Sequence, residues 1–517
     1  MNKARWLSLL LAAVMLLGLV PLQAVAENDV LTLTFFDKNT GDAFENPVAE
    51  KITELTGIKI EVQQPTGNPE EKLGLMLISG DLPDLVLMDR RSDMVNKYIA
   101  GGALIPLNDL IEQYAPNVKA QYGEVLNESR YEDGKNYYLN NWYGTDPDPE
   151  RGIAIRMDLL KEFGYGEKAE NDEYFTQEEF VDMLKQYKAK YGDDVIPFTV
   201  NGEYQETYMS TFRGMYGMKP YYEADGKLLL DVRHPRYLDM CKFVNMLYRE
   251  GLLDNEWAVN KSDLFNQKMS GGNVMAANSG IPDQINTLFR EEEGEETEKQ
   301  FHVFNIVADG VDPSTTTFNP RPSLGWDAIG ITVKNQHPEE TMKFIDFLAS
   351  EEGQYLLMWG VEGLHWDYVD GVHVPHDDII PGFQKDWGEY SKQTGIRKWT
   401  WFIKNGIGAD GTPYDLVTKY AVSDAAAHAR KAMATTVYDT APYDDVGPVA
   451  GTMEALTEQK LKDMIDQAFA KMAFASSEEE VETIYNQMIT DLDANGAPDI
   501  EAIYTKNFSE RVNLWFK

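Results

Sequence analysis

Ten tryptophans and 27 tyrosines are spread through a chain that carries 85 acidic and 47 basic side chains. Three places set rings beside charged or polar groups: Trp142-Tyr143, Trp326-Asp327 with Arg321 just before them, and Trp399 and Trp401 flanking Thr400. Aromatic planes stack on flat apolar faces, while carboxylates, amides and guanidinium groups fix polar ones by hydrogen bonds. A concave site that combines them can recognise a ligand without altering it. The patterns that announce covalent chemistry are lacking. There is no Gly-x-Ser-x-Gly, no His-Glu-x-x-His, no Gly-Lys-Ser/Thr loop and no Gly-x-Gly-x-x-Gly following a strand. A pair of carboxylates about 5 to 10 Å apart would still suit glycoside cleavage, and 85 acids leave such a pair open.

The elements that must position these residues follow from length and periodicity. At about 150 residues per domain, 517 residues allow three domains or two large lobes around a cleft. Apolar residues make up 43 %, enough for a sizeable core. The formal charge of −38 repels phosphate backbones and anionic membrane surfaces, so nucleic acid is excluded as a partner. Cys241 has no second cysteine to pair with and reads as a small buried hydrophobe. Lys3 and Arg5 precede an apolar run from Leu7 to Val20, then Pro21 and Ala24-Val25-Ala26. This reads as a secretory signal over 1–26, cleaved after Ala26, of an exported soluble chain. The run is too short to span a bilayer, and no cysteine near the cleavage site offers a lipid anchor.

Leu31, Leu33 and Phe35 alternate as a strand ending at Asp37 and Lys38. A helix with Pro47 near its start stops at Gly57, and Ile58, Ile60 and Val62 form a second strand. Another helix leads through Ser79-Gly80-Asp81-Leu82-Pro83 to a third strand, Asp84 to Met88. Such a β-α-β-α-β run builds a parallel, doubly wound sheet. Its crevice lies at the carboxyl ends of the strands, which places Asp37, Lys38, Asp89 and Arg90 there. The segment Tyr137 to Pro149 reads as a hinge. Beyond it, Ile153 and Ile155 fit a strand, and Thr176 with Glu179 matches a capping box. Ile329, Ile331 and Val333 alternate as a strand, Pro338 starts a helix, and Ser350 caps the next one, which ends at Gly360. The acidic run Glu291–Glu298 reads as a solvated loop.

Several strings then fall in a telling order. They are Ser79-Gly80-Asp81-Leu82-Pro83-Asp84, Gly102-Ala103-Leu104-Ile105-Pro106-Leu107, Ile155-Arg156-Met157-Asp158-Leu159-Leu160, Asp327-Ala328-Ile329-Gly330-Ile331-Thr332, Ser350-Glu351-Glu352-Gly353-Gln354 and Trp359-Gly360-Val361-Glu362-Gly363. Together they resemble the extracellular solute-binding protein family 1, in its long Gram-positive lipoprotein-type branch that serves oligosaccharide ABC importers. The resemblance implies an α/β, two-lobed periplasmic-binding-protein-like fold, the type II Venus flytrap, with an interlobe ligand cleft. One lobe would take 27–140 plus 326–370, and the other 141–325 plus 371–517.

What the resemblance implies about function is capture of an oligosaccharide and its delivery to a membrane permease of an ABC transporter, by a monomer without cofactor. A secreted glycan-binding or sensing protein not coupled to transport would share the same cleft chemistry. A sugar presents hydroxyls around flat apolar faces. The expected contacts are therefore Asp37, Asp89, Trp142, Tyr143, Arg321, Trp326, Asp327 and one of Trp399 and Trp401, which point to opposite sides of an extended segment. The chain departs from the branch in two respects. It has no anchor cysteine, and Lys190 to Pro197 keeps only Asp193 and Asp194 where a calcium loop would need six to eight oxygen ligands. No metal is expected there, and His373-Val-Pro-His376-Asp377-Asp378 reads as a solvated turn.

Overall fold

The computed structural model describes residues 30–515, apart from 66, 142–147, 203–204, 280–282, 284, 288–298, 322–323, 405, 421 and 450. The expected signal over 1–26, Trp142, Tyr143 and the acidic run therefore lie outside the described residues. No helix among those described is long and apolar enough to cross a membrane.

The chain starts with β1 (Leu31–Asp37), α1 (Pro47–Thr56), β2 (Ile58–Gln63), α2 (Pro69–Ser79) and β3 (Leu85–Asp89), the order the periodicity predicts. Local chemistry sets these ends. Ala49 N–H donates to Asn46 Oδ1 at 3.0 Å to cap α1, and Gly57 ends the helix at φ 69°, a conformation glycine adopts without strain. The chain then builds β4 (Gly152–Arg156), α3 (Gln177–Tyr191), β5 (Ile196–Thr199), α4 (Tyr237–Arg249), β6 (Val274–Ser279), β7 (Phe301–Phe304) and β8 (Asn319–Arg321). The capping box opens α3: Glu179 N–H donates to Thr176 Oγ1 at 3.2 Å and Thr176 N–H to Glu179 Oε2 at 2.8 Å. Next come β9 (Asp327–Ile331), α5 (Pro338–Ala349) and α6 (Glu351–Trp359), then α7 (Asp424–Ala432), β10 (Val437–Asp439), α8 (Met453–Ala473), α9 (Glu478–Ala494) and α10 (Ala497–Trp515).

Two four-stranded sheets organise these elements. The first runs β9-β3-β1-β2, with β1 parallel to β2 and β3 and with β9 antiparallel to β3. The second runs β7-β4-β6-β5. The first sheet is covered on both faces, as a parallel sheet must be. Leu85 and Leu87 of β3 enter one apolar cluster with Leu33, Phe35 and Ile329. Val86 and Met88 enter another with Phe36, Leu73 and Tyr98, which is the strand's twofold alternation read directly as two cores. The second sheet has its own large core, shared with α4 and the helices α8, α9 and α10. Among the described residues the chain passes between these cores three times: between Leu139 and Ile153, between Phe318 and Ile329, and between Val417 and Ala429.

That last crossing corrects a boundary. Residues after 371 were expected in the second lobe, yet Ile379, Phe383, Ile396, Phe402, Leu416 and Val417 are packed into the first-sheet core. They surround α6, whose Trp359 donates its Nε1–H to Pro413 O at 2.9 Å. The stretch read as a solvated turn is also structured. Trp366–Val369 and Val372–Pro375 form a hairpin that stacks His373 on the Tyr355 ring at 3.6 Å and sets its Nδ1 2.6 Å from Asp410 Oδ2.

In the second lobe His302 of β7 packs edge-on against His428 of α7, ring centroids 4.9 Å apart. Burial, and then the His428 ring, push the His302 pKa down to about 4, against a weaker upward pull from Asp424. The folded chain keeps His302 neutral where the unfolded chain would protonate it. Its contribution to stability is therefore complete above about pH 6.5 and is lost as pH falls towards 4. Between pH 7 and 4.5 the His302→Gln variant should lose about 1–2 kcal/mol less unfolding free energy than the parent in urea titrations. Parallel losses would show that His302 is not the group responsible.

Candidate functional site

The carboxyl ends of β1 and β3 lie at one edge of the first sheet, and because β9 runs the other way its first residue lies there too. Asp327 sits opposite Asp89 in register, and Asp37 ends the neighbouring strand, so three acids far apart in sequence meet at one edge. Two of them are committed to holding it. Asp37 is buried and accepts from Trp401 Nε1–H at 2.9 Å and from Asn39 N–H at 2.8 Å. Asp327 is buried with Lys38 Nζ at 3.0 Å, while its own N–H donates to Asn141 Oδ1 at 3.0 Å. Burial raises the pKa of both, the donors and Lys38 opposing it. Asp89 keeps solvent contact and accepts from Arg91 N–H at 2.9 Å, and Trp326 beside it is 46 % exposed.

The facing edge comes from the second lobe, where β8 pairs in parallel with β10 and Arg321 stands in register with Asp439. Arg321 is exposed and donates to Asp148 O. Arg151 is tied to the same strand by its backbone: its N–H donates to Asn319 Oδ1 at 3.0 Å and its carbonyl accepts from Asn319 Nδ2 at 2.8 Å. The Arg151 side chain reaches solvent, and protein lies close around it. Desolvation, and then the positive charges of Arg321 and Arg91, lower its pKa from the usual arginine value. Arg91 of the first lobe is thus near enough to act on Arg151 electrostatically, and it follows Arg90, which bonds Trp326 and Asp444 at the joint between the lobes.

Arg90 joins the two edges. Its backbone N–H donates to Trp326 O at 2.8 Å and its Nε–H to Gly325 O at 2.7 Å, and its Nη1 lies 2.7 Å from Asp444 Oδ2 of the second lobe. Gly325 is required at this crossing, because a Cβ there would stand 1.9 Å from Asn141 O. The other crossings are laced by charge. Asp148 lies 2.8 Å from Lys419 and 3.4 Å from Arg430, and Glu150 lies 2.8 Å from Arg430.

Of the expected contacts, Asp37, Asp89, Trp326 and Asp327 are brought together at the first-sheet edge, and Arg321 ends β8 in register with Asp439. Trp399 and Trp401 are not at the surface. They are 0 % and 1 % exposed, packed on Phe44 and Phe35, with their Nε1–H groups on Asn46 Oδ1 at 3.2 Å and Asp37 Oδ2 at 2.9 Å. Trp401 supports the crevice from behind. Sequence reasoning missed Arg91, Arg151 and Asp444; Asp444 meets Arg90 only across 354 positions, which leaves no local signal, although Glu150-Arg151 just after the predicted hinge was a pointer. Among the described residues no group of three or more His, Cys, Asp or Glu is placed to hold a metal ion.

Trp401→Phe keeps the ring and removes one donor from buried Asp37, so it should cost about 1–3 kcal/mol in chemical denaturation. A smaller loss would mean that Asp37 does not depend on this bond. Arg90→Met removes the buried partner of Asp444 and should lower stability by about 3 kcal/mol while enlarging the radius of gyration in small-angle scattering. Unchanged scattering would separate the ion pair from the placement of the lobes.

The family model for bacterial extracellular solute-binding proteins matches residues 37–355. Lipoprotein LipO of Bacillus subtilis is 24 % identical over 395 residues, 72 % of this chain and 75 % of that protein. The fructooligosaccharide ABC transporter substrate-binding protein FusA of Streptococcus pneumoniae is 28 % identical over 244 residues, 42 % of this chain and 43 % of that one. The crystal structure of an extracellular solute-binding protein from Bifidobacterium longum subsp. infantis superposes over 93 % of this chain and 98 % of its own, with a TM-score of 0.66 at 17 % identity. The fold is thus that of a two-lobed, type II periplasmic-binding-protein-like chain, and by the family match the protein belongs to the bacterial extracellular solute-binding proteins.

Proposed function

We propose that the protein captures an oligosaccharide outside the cytoplasm and delivers it, as a monomer, to the membrane permease of an ABC transporter. The observation that carries this reading is the joint between two separately cored α/β lobes, where Arg90 bonds Trp326 and Asp444, Trp326 is exposed, and Asp89, Arg91, Arg151 and Arg321 supply polar side chains at or beside the strand ends. Ring faces and hydrogen-bonding groups in one concave place suit a sugar. The family membership and the relative FusA, named for fructooligosaccharides, support the same class. Trp142 and Tyr143, in the first crossing, are proposed as further contacts, and the 27–140 and 326–370 segments, extended by 379–417, as the first lobe.

Delivery requires that the permease distinguish loaded from empty protein. A ligand shifts the balance towards a closed form only by interacting better with that form, so its contacts must span both edges. Binding without turnover is the expected behaviour, and no reducing ends should be released from a bound glycan.

A thermal-shift screen of the chain from Glu27 onward, against neutral and acidic oligosaccharides, amino acids and short peptides, tests the reading. A ligand at a hundred times its dissociation constant adds about 2.7 kcal/mol to the folded state and raises the melting temperature. A response confined to peptides would overturn the carbohydrate assignment. For any sugar found, Trp326→Ala should weaken binding about tenfold by calorimetry, equivalent to about 1.4 kcal/mol. Unchanged affinity would remove Trp326 from the site.

A further inference from the structure

Building on the carbohydrate reading, we propose that the oligosaccharide is acidic, and that an anionic ring substituent is held by Arg91, Arg151 and Arg321. In a chain so rich in carboxylates most arginines sit against one: Arg90, Arg156, Arg213, Arg233, Arg397 and Arg430 all do. Arg91, Arg151 and Arg321 make no ion pair among the described residues, although all three are exposed. They do not stand apart on the surface. Arg321 ends β8 and Arg151 is bonded to Asn319 two residues before it, while Arg91 follows Arg90, which bonds Trp326 and Asp444 where the two lobes are joined.

Two carboxylates on neighbouring strand ends already accept backbone N–H groups. Asp89 accepts from the Arg91 backbone N–H, and Asp439, in register with Arg321, accepts from Ala441 N–H at 2.9 Å. Like charges gathered without counter-charges repel one another, and a bound anion removes that cost. Guanidinium groups suit the task, because their planar donors match a carboxylate or sulfate two bonds at a time and shed water readily. A neutral glycan can accept hydrogen bonds from such a cluster but leaves its mutual repulsion uncompensated. The arginines also come from both lobes, so one anion can reward closure directly. The chain's overall negative charge does not forbid this. Screening confines charge effects to about 8 Å at physiological salt, and within that range the cluster decides.

Calorimetry on the chain from Glu27 onward, with tetragalacturonate, its full methyl ester, a sulfated cellotetraose and plain cellotetraose, separates the sources of charge. One anionic probe should bind at least tenfold more tightly than its neutral counterpart, the carboxylate or the sulfate being identified by which one does. Arg151→Gln and Arg321→Gln should each lower that affinity at least fivefold without lowering the melting temperature of the free chain. Neutral probes binding as well as the anionic ones would overturn the proposal and leave the carbohydrate reading standing. Silence from all four probes, with a melting shift from peptides alone, would overturn both.

Discussion

The buried guanidinium of Arg90 ties together three parts of the chain that the sequence keeps far apart. A cation withdrawn from water is tolerated only with partners in good geometry. Here the partners are the carbonyl of Gly325 in the second crossing and the carboxylate of Asp444 in the second lobe, while the backbone N–H holds Trp326 O. Burial alone would lower its pKa, and Asp444, with Tyr138 and Asp445, more than offsets this. Because Arg90 points inward, its neighbours Asp89 and Arg91 are left on the outer side of the same strand end. The same set of bonds that joins the lobes thereby aims the residues that face the cleft.

Around this joint the crossings are short and tied to one another. Gly325 N–H donates to Asn141 O at 2.8 Å, so the first and second crossings run side by side, and Asp148 and Glu150 hold the third through Lys419 and Arg430. Rotation of one lobe against the other must be absorbed by these few residues. The ion pairs can slide between neighbouring acids, Arg430 already reaching both Asp148 and Glu150, whereas the backbone bonds cannot. At the far side α10 adds a lighter contact, Arg511 donating to Glu128 O at 3.3 Å.

The parts of this architecture visible in the sequence are those fixed by neighbours in the chain. Strand alternation, the proline near the start of α1, the left-handed Gly57 and the Thr176–Glu179 box all depend on residues within a few positions, and all are found. The crevice acids were legible through topology, since the carboxyl ends of parallel strands share one edge. Trp399 and Trp401 were not. Their periodicity says only that the rings diverge, and what decides their burial is Asn46 and Asp37, more than 350 residues away and carrying acceptors for both indole N–H groups. The same distance hid the place of 379–417, whose apolar residues fit either core by composition.

An arginine without a carboxylate looks like any other in a sequence, and the significance of Arg151 emerges only from what surrounds it. The chain's excess of acid makes the contrast sharper. Where counter-charges are abundant, exposed arginines that make no ion pair among the described residues reflect geometry that keeps those carboxylates away. The strand ends supply that geometry. Asp37 and Asp327 are turned inward to Trp401 and Lys38, and Asp89 is turned to a backbone N–H, so the edge most crowded with acids presents few of their oxygens to the arginines opposite. Burying the acids thus serves two ends at once: it fixes the sheet edge, and it leaves the field between the lobes to the arginines.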